Sequence, residues 1–529
     1  MASFESTRNM QNQEHFEVVE IDLPVITGAC TIGGSPGFGT PLSCDEAYTS
    51  EIKTYIFTNE NAPIVPGALR YIKSISETTA EIKPGTGLGS RGTLSVTFVD
   101  ALGDPNVGAP GVTDEVKESG TFFGKLSARQ ILANKEIRVK LYRVEVDGTI
   151  DLAGGALTRY YNADSLKTNG KTWTLQGKDE LSVADINEKV WPPAQDGFVR
   201  LDMTDIQLTI PVDAVVDYSS AVVVRVGDEF FLVDSVTDNQ TATATLNVLA
   251  RGASILAPVS GVQLTRTDVD SHSAGDEVFI CRISDDERID DLVSDVLTDS
   301  DVPPARIPTA AWADEIDVWH PNTVINTLWY KSESVNDVLK GILTDYLVDI
   351  VFDPEDRTIN MFAISVWKQS EATVTEGNEI NIDSVRLVPD ENIRATRALV
   401  LYDKDFLARS DDTENYSKAS RFTDPSLQAT EFYGQHKDKL FDNSVLLNKD
   451  SADLLTQRYV SRFGLKPKML TWTTPESKLN INVGAVVDYR VFGDQSFDGS
   501  PSPNARAQIV SIKPQYKNTG REYLVKAAS

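Results

Sequence analysis

Residues 120–150, GTFFGKLSARQILANKEIRVKLYRVEVDGTI, and 158–193, TRYYNADSLKTNGKTWTLQGKDELSVADINEKVWPP, decide the fold. Ile137, Val139 and Leu141 alternate with charged neighbours, and Val144 to Val146 continue the pattern, which predicts a strand with one buried face. Asp147-Gly148 supplies the positive φ that a tight hairpin turn wants. An aromatic strand, a second turn and a final strand follow, running into an acidic stretch. Trp191-Pro192-Pro193 ends the unit, because consecutive prolines leave the chain extended and without donors for a ladder. Nothing in the stretch forms a catalytic constellation.

The same reading extends outward. RYIKSISETTAEIKP and GTLSVTFVD flank the turn-rich GTGLGSRG, and Leu94, Val96 and Phe98 alternate with polar neighbours, which predicts a strand with one buried face. Residues 1–60 show no sustained periodicity and are expected to form an arm or loop; 61–196 form a first β-rich unit. Residues 197–284 read as a small β module inserted after the prolines, with a hairpin at Gly227-Asp228 in AVVVRVGDEFFLV. In 285–400 the period changes. Ile289, Leu292, Val293, Val296 and Leu297 share one helical face, and Ser334 caps a second stripe from Val335 to Leu347. IVFDPEDRTINMFAIS predicts a hairpin around Asp353 to Arg357. Residues 401–529 carry a helix near Ser451 to Phe463, stopped by Gly464. They end in the strands MLTWTT, AVVDYRVF, AQIVSIKP and EYLVKA, interrupted by an exposed loop at 494–505. The fold class is therefore α+β and β-rich, in several domains.

Length and charge agree with this. At 529 residues the chain exceeds one core, and about 150 residues per domain suggests three to four. Polar residues break every apolar stretch before the roughly 18 residues of a membrane helix, so no membrane span is expected. The N-terminus lacks a secretory pattern, which points to folding in a cytoplasm. Fifty basic against 78 acidic residues leave a net charge of −28. That argues against gripping nucleic acid, which needs clustered Lys and Arg. It fits either plain solubility or a wall that DNA slides past. Three scattered cysteines (Cys30, Cys44, Cys281) and four histidines (His15, His272, His320, His436) show neither disulfide nor zinc spacing.

Several motifs imitate chemistry. Gly87, Gly89 and Gly92 satisfy G-x-G-x-x-G, but a strand follows where a dinucleotide site needs a helix N-terminus. Gly33-Gly34-Ser35-Pro36-Gly37 matches the esterase elbow, yet Pro36 lacks the N–H that the oxyanion hole requires. His272, Ser273, Asp270 and Asp276 lie in one turn, where nucleophile, base and orienter cannot converge. Asp285, Asp286, Glu287, Asp290 and Asp291 lack the alternation and turn glycine of a calcium loop, and read as a solvated helix start. No catalytic, cofactor-binding or metal-ligating residue is assigned, and no enzyme activity or cofactor is expected.

One resemblance remains. Gly120 to Lys125 with Ala128-Arg129, and Thr158-Arg159-Tyr160-Tyr161 with the run Lys178 to Asp185, resemble the central tail-tip hub proteins of long flexible-tailed bacteriophages and gene transfer agents. Arg251-Gly252 with His272 to Asp276 is similar to a β module of phage tail proteins. The resemblance runs from about Asp22 to Val491 and implies a phage tail hub with two β-barrel domains and mixed helix and hairpin domains. It implies a structural virion protein at the tail tip, assembled in the host cytoplasm as a homotrimer. The trimer would surround the tape-measure protein and a DNA channel without specific binding. Its partners would be a distal tail ring protein and a tip or receptor-binding protein. A receptor-binding protein or a cell-wall hydrolase is the alternative. Many relatives carry four cysteines after "DLP" that hold an iron–sulfur cluster. Here Asp22-Leu23-Pro24 is followed by Cys30 and Cys44 alone, and Thr54-Tyr55 stands where another cysteine would be expected. No cluster is predicted, since four thiolates are the usual set.

Overall fold

A computed structural model describes residues 15–26, 48–59, 65–84, 88–99, 122–129, 132–143, 156–170, 172–183, 189–193, 197–213, 218, 223–237, 243–252, 255, 260–261, 267–321, 323–404, 416–424, 436–442, 445–465, 467–475, 478, 481–495, 505–517 and 520–529. The expected Asp147-Gly148 turn, the strand continuation at Val144 to Val146 and most of the 494–505 loop lie outside these residues.

Seven strands close into a barrel: β1 His15–Ile26, β2 Tyr48–Asn59, β3 Ala68–Thr78, β4 Thr93–Val99, β5 Glu136–Arg143, β6 Leu157–Thr168 and β7 Thr172–Lys178. Their order is β1-β2-β3-β4-β7-β6-β5, and β5 returns to β1. Only the β2–β3 pair of this circuit is parallel. Closure leaves no edge strand exposed. Val19, Ile21, Phe57, Leu94, Val96, Ile137, Val139, Tyr161 and Leu175 fill the interior. Gly177 sits among them because a Cβ there would lie 3.2 Å from Ile137 Cδ1 and 3.3 Å from Leu94 Cβ. The short helix α1, Phe122–Arg129, plugs one end. Its Phe123 ring centroid is 4.6 Å from Phe98, and Phe122 is 4.9 Å from Phe123. The aromatic opening of the quoted stretch is thus a stopper for the barrel.

The N-terminal expectation needs correcting. β1 and β2 fall within the supposed arm, yet they are barrel strands paired from Val18↔Thr58 to Ile26↔Tyr48. Val18 and Val19 are both buried, one in the barrel and one against Phe16 and Tyr142, so burial on two faces erased the alternation.

After β8 (Val190–Trp191) comes the inserted module: β9 Gly197–Phe198, β10 Thr209–Asp213, β11 Val223–Val226, β12 Glu229–Thr237 and β13 Thr243–Arg251. The Gly227-Asp228 hairpin forms as expected, with Gly227 at φ 56°. The module does not end at 284. β14, Glu277–Arg288, pairs with β11 and β9 through its first half and with β15 (Val324–Trp329) through its second. One unbroken strand therefore ties the module to the middle of the chain.

There α2 (Ile289–Asp299) and α4 (Val335–Tyr346) bury the expected stripes in the largest core. Ser334 caps α4, its hydroxyl accepting from the Asp337 N–H at 3.2 Å. Between them lies α3, Thr309–Trp319, which the sequence reading missed; it buries only Trp312 and Ile316, too few for a clear period. β16 (Glu333–Ser334) pairs with β8, and β17 (Val348–Asp353) forms the expected hairpin with β18 (Thr358–Ala363). β19 (Ala372–Thr375) and β20 (Arg386–Pro389) follow. β21 (Arg397–Lys404) pairs with β22 (Tyr416–Thr423) and β23 (Asp438–Phe441), so the expected boundary at 400 cuts a strand. α5, Lys449–Phe463, is capped by Asn448 and stopped at Gly464.

The last strands, β24 Lys468–Pro475, β25 Val486–Arg490, β26 Ala505–Lys517 and β27 Gly520–Ala528, join β19 and β20 in the order β19-β25-β26-β27-β24-β20. The sheet curls round Leu470, Trp472, Val487, Ile509 and Val525. The segment between β19 and β20 spans the gap, with Asn381 N donating to Thr473 O at 3.0 Å. The chain is thus α+β and β-rich, with a closed barrel and a nearly closed one.

Candidate functional site

A cleft of about 390 Å³ opens where the N-terminal barrel, the β17–β18 hairpin and the C-terminal sheet meet. The barrel end opposite its aromatic plug faces this cleft. It is closed by a buried ion pair, Arg159 Nη1 to Glu77 Oε2 at 2.7 Å, and Arg159 Nη2 reaches Glu17 at 3.1 Å. Tyr161, Asp179, Phe352, Asp353, Asn360 and Glu371 add to the walls. Burial pushes the Asp353 carboxyl above its ordinary value, and its oxygen accepts the Glu355 N–H at 2.8 Å. Among the described wall residues, no side chain is placed as a nucleophile beside a base.

Two buried carboxylates beside the cleft are held by glycine amides. Asp179 Oδ2 accepts from Gly92 N at 2.6 Å. Asp349 Oδ1 accepts from Gly89 N at 3.1 Å, and its Oδ2 from Lys83 N at 3.2 Å. Burial pushes Asp349 up to about 7, against the pull of these amides. The glycine loop does cradle an acid group, but that group is the chain's own aspartate. A Cβ on Gly89 would lie 2.3 Å from Glu81 O, which is why this turn needs glycine. Gly87 lies outside the described residues.

The described motif residues between 158 and 183 serve the same joint; Ala184 and Asp185 lie outside the described residues. Tyr160 N donates to Pro354 O at 3.0 Å, and the Arg357 guanidinium lies 4.3 Å from the Tyr160 ring centroid. Glu180 receives Arg306 and Arg357, each at 2.6 Å, and Arg357 also reaches Glu136 at 2.9 Å. Leu181 enters the central core, and the Ser182 hydroxyl donates to Asp179 O at 2.6 Å. The motif is a fastening between the barrel and the middle of the chain.

In the inserted module Arg251 and His272 converge on a residue that the sequence reading did not single out. Glu229 takes Arg251 Nε and Nη2 in a bidentate pair, both at 2.8 Å, and lies 2.9 Å from His272 Nε2. Burial alone would raise its carboxyl; the bonds from Arg251, His272 and the Asp270 N–H hold it below its ordinary value. His272 therefore faces inward, its ring 5.6 Å from Phe231 in an edge contact, and bridges backbone to backbone with Met203. Ser273 N donates to Asp276 Oδ2 at 2.9 Å and Asp276 N donates to Ser273 O at 3.1 Å, the reciprocal bonds of a turn. Glu229 was hard to find because it lies 22 and 43 residues from its two partners.

The acidic run is consumed locally. Asp285 accepts Ser260 N, Asp286 bonds Asn326, and Glu287 and Asp290 pair with Arg282 and Arg288. Asp290 is buried, so the expected solvated start is corrected at this residue: Arg288 supplies the countercharge that burial demands. Burial and the neighbouring Asp290 raise Asp291. Ser35, Cys30 and Cys44 lie outside the described residues. The Thr54 hydroxyl donates to Asp22 Oδ1 at 2.6 Å, and Asp22 holds Arg138. Cys281 lies in the inserted module's strand β14, where burial pushes its thiol far up.

No protein-family model matches the sequence, and no curated protein does. Among solved structures, a tail protein from Neisseria meningitidis is similar at 10% identity and a TM-score of 0.39, covering 86% of this chain and 91% of that one. The 43 kDa tail protein of prophage MuSo2 from Shewanella oneidensis is similar at 8% identity and 0.40, covering 97% and 98%. A chain of a native gene transfer agent virion gives 12% and 0.30, covering 86% and 83%. At such scores none of them bears on what this chain does.

Proposed function

We propose that the chain is a structural virion protein, the central hub of a phage or gene-transfer-agent tail tip that joins the tail tube to the tip. The observation that carries this is the use of the resemblance residues. Phe122 and Phe123 stop the barrel, Arg159 to Tyr161 and Asp179 to Ser182 fasten it, and Arg251 with His272 clamps the inserted module. Residues spent on buried joints belong to a scaffold rather than to a reaction. One closed and one nearly closed barrel per chain would give a homotrimer six β units around its axis. A net charge of −28 suits a channel wall past which the tape-measure protein and DNA move without specific binding. The partners on this reading are a distal tail ring protein above and a tip or receptor-binding protein below, after assembly in the host cytoplasm.

Cryo-electron microscopy of tails from producing cells, with the chain located by antibody, tests the reading. A central trimeric ring is expected. Peripheral label would instead make it a receptor-binding protein, and clearing of peptidoglycan by the isolated chain would make it a wall hydrolase. A chain that stays monomeric and never enters particles would end the proposal.

A further inference from the structure

Five apolar side chains of the inserted module stand in solvent: Leu201, Leu208 and Leu249 at 55%, 55% and 65% exposure, Ile206 at 83% and Val269 at 48%. Single exposed hydrophobics are ordinary, but these are gathered. Val248 N donates to Leu208 O at 2.9 Å, which sets Leu208 beside Leu249. Leu249 is the extra residue of a β-bulge, since the register passes from Leu232↔Ala250 to Val233↔Val248. Its side chain points outward by the alternation of the strand, away from the core that takes Leu246 and Val248.

One buried guanidinium fixes the two loops of this face. Arg251 Nη1 donates to Thr204 O and Gln207 O, both at 2.9 Å, on either side of Ile206. Its Nη2 donates to Asp270 O at 2.7 Å, next to Val269. Met203 and His272 exchange backbone bonds of 2.7 and 3.0 Å beneath. The apolar residues are thus held out by a charged clamp.

The exposed charges of segments 199–208 and 267–272 are Asp202, Asp205, Asp268 and Asp270, against Arg200. We infer that this face docks a second polypeptide whose contact surface has an apolar centre flanked by Lys and Arg. An apolar centre inside a polar rim is the usual anatomy of such contacts, and opposite charge selects the partner. A second copy meeting face to face would set acidic rim against acidic rim on a chain of net charge −28. The inference does not depend on the tail-hub reading.

The test places a photo-cross-linking phenylalanine derivative at Ile206 or Leu249 of the full chain in producing cells. Ile382, 66% exposed and in the C-terminal part, is the control position. Positions 206 and 249 are expected to cross-link to one other polypeptide, at apolar residues flanked by Lys or Arg, while 382 does not. The pair Asp205→Lys and Asp268→Lys is expected to cut the yield about tenfold or more, as like charges meet. Both aspartates are exposed, and an unchanged melting temperature shows that the fold persists; if it shifts, the unaltered chain in about 1 M salt, where screening acts within about 3 Å, must show the same loss. Cross-links only to a second copy, the same cross-link from 382, no cross-link, or a yield indifferent to charge reversal and salt would overturn the inference.

Discussion

Glu229 in the inserted module and Asp349 at the barrel junction are both fully buried carboxylates that hold loops in place, and their protons behave oppositely. Glu229 faces a bidentate guanidinium and an imidazole, which keep it ionised below the ordinary range. Asp349 faces backbone amides, with the Arg91 charge a weaker influence that is not hydrogen-bonded to it, and these do not offset burial, which pushes it up to about 7. Amide dipoles position a carboxylate; a full countercharge is needed to keep it charged in a dry site.

The largest expected effect comes from breaking the charged pair. Glu229→Gln leaves Arg251 buried without its counterion and is expected to cost about 3–5 kcal/mol, read from urea unfolding at pH 7. If the loss is no greater than that of Asp349→Asn, the distinction between ion pair and dipole cradle fails.

Acidity sharpens the comparison next. The folded chain keeps the Asp349 proton between 3.8 and about 7, where the unfolded chain has released it. Stability is therefore expected to fall, by up to a few kcal/mol, as pH rises through that window, and to level off above it. Glu229 contributes fully above its ordinary 4.5, and the contribution is lost as pH falls through its lower folded value. In unfolding midpoints measured against pH, Asp349→Asn should flatten the upper limb alone and Glu229→Gln the lower limb alone.

Smaller changes probe the loops themselves. Gly89→Ala would press a methyl on Glu81 O and is expected to destabilise by about 1–3 kcal/mol, seen as a lowered melting temperature. Gly227→Ala is strained by its φ of 56° but meets only the His272 ring at 3.8 Å. A loss of about 1 kcal/mol is expected there. Equal losses at the two glycines would show that the Gly89 contact relaxes.

Much of the fold was legible because it is written locally. The stripes of α2 and α4, the Ser334 cap, the Gly464 stop and the Gly227-Asp228 turn each need only neighbours within a few residues. The misses share a cause. β1 carries Glu20 and Asp22 on its outer face, where they pair with Arg138 and Lys140 of the neighbouring strand β5. Such residues read as surface in one dimension. α1 is 8 residues long and interrupted by Gly124, too short for its two phenylalanines to show a helical period.

The sequence by itself determined the element types over the periodic stretches, the β-rich character, and the unsuitability of Pro36 and of the 87–92 loop for their borrowed chemistries. Those follow from properties of residues and their near neighbours. Only the tertiary structure decided that the barrel closes through β1 and β2, that Gly89 cradles Asp349, and that Arg251 and His272 meet at Glu229. Each of these joins residues at least 22 positions apart, and the burial that fixes a charge or a loop exists only once distant strands have packed.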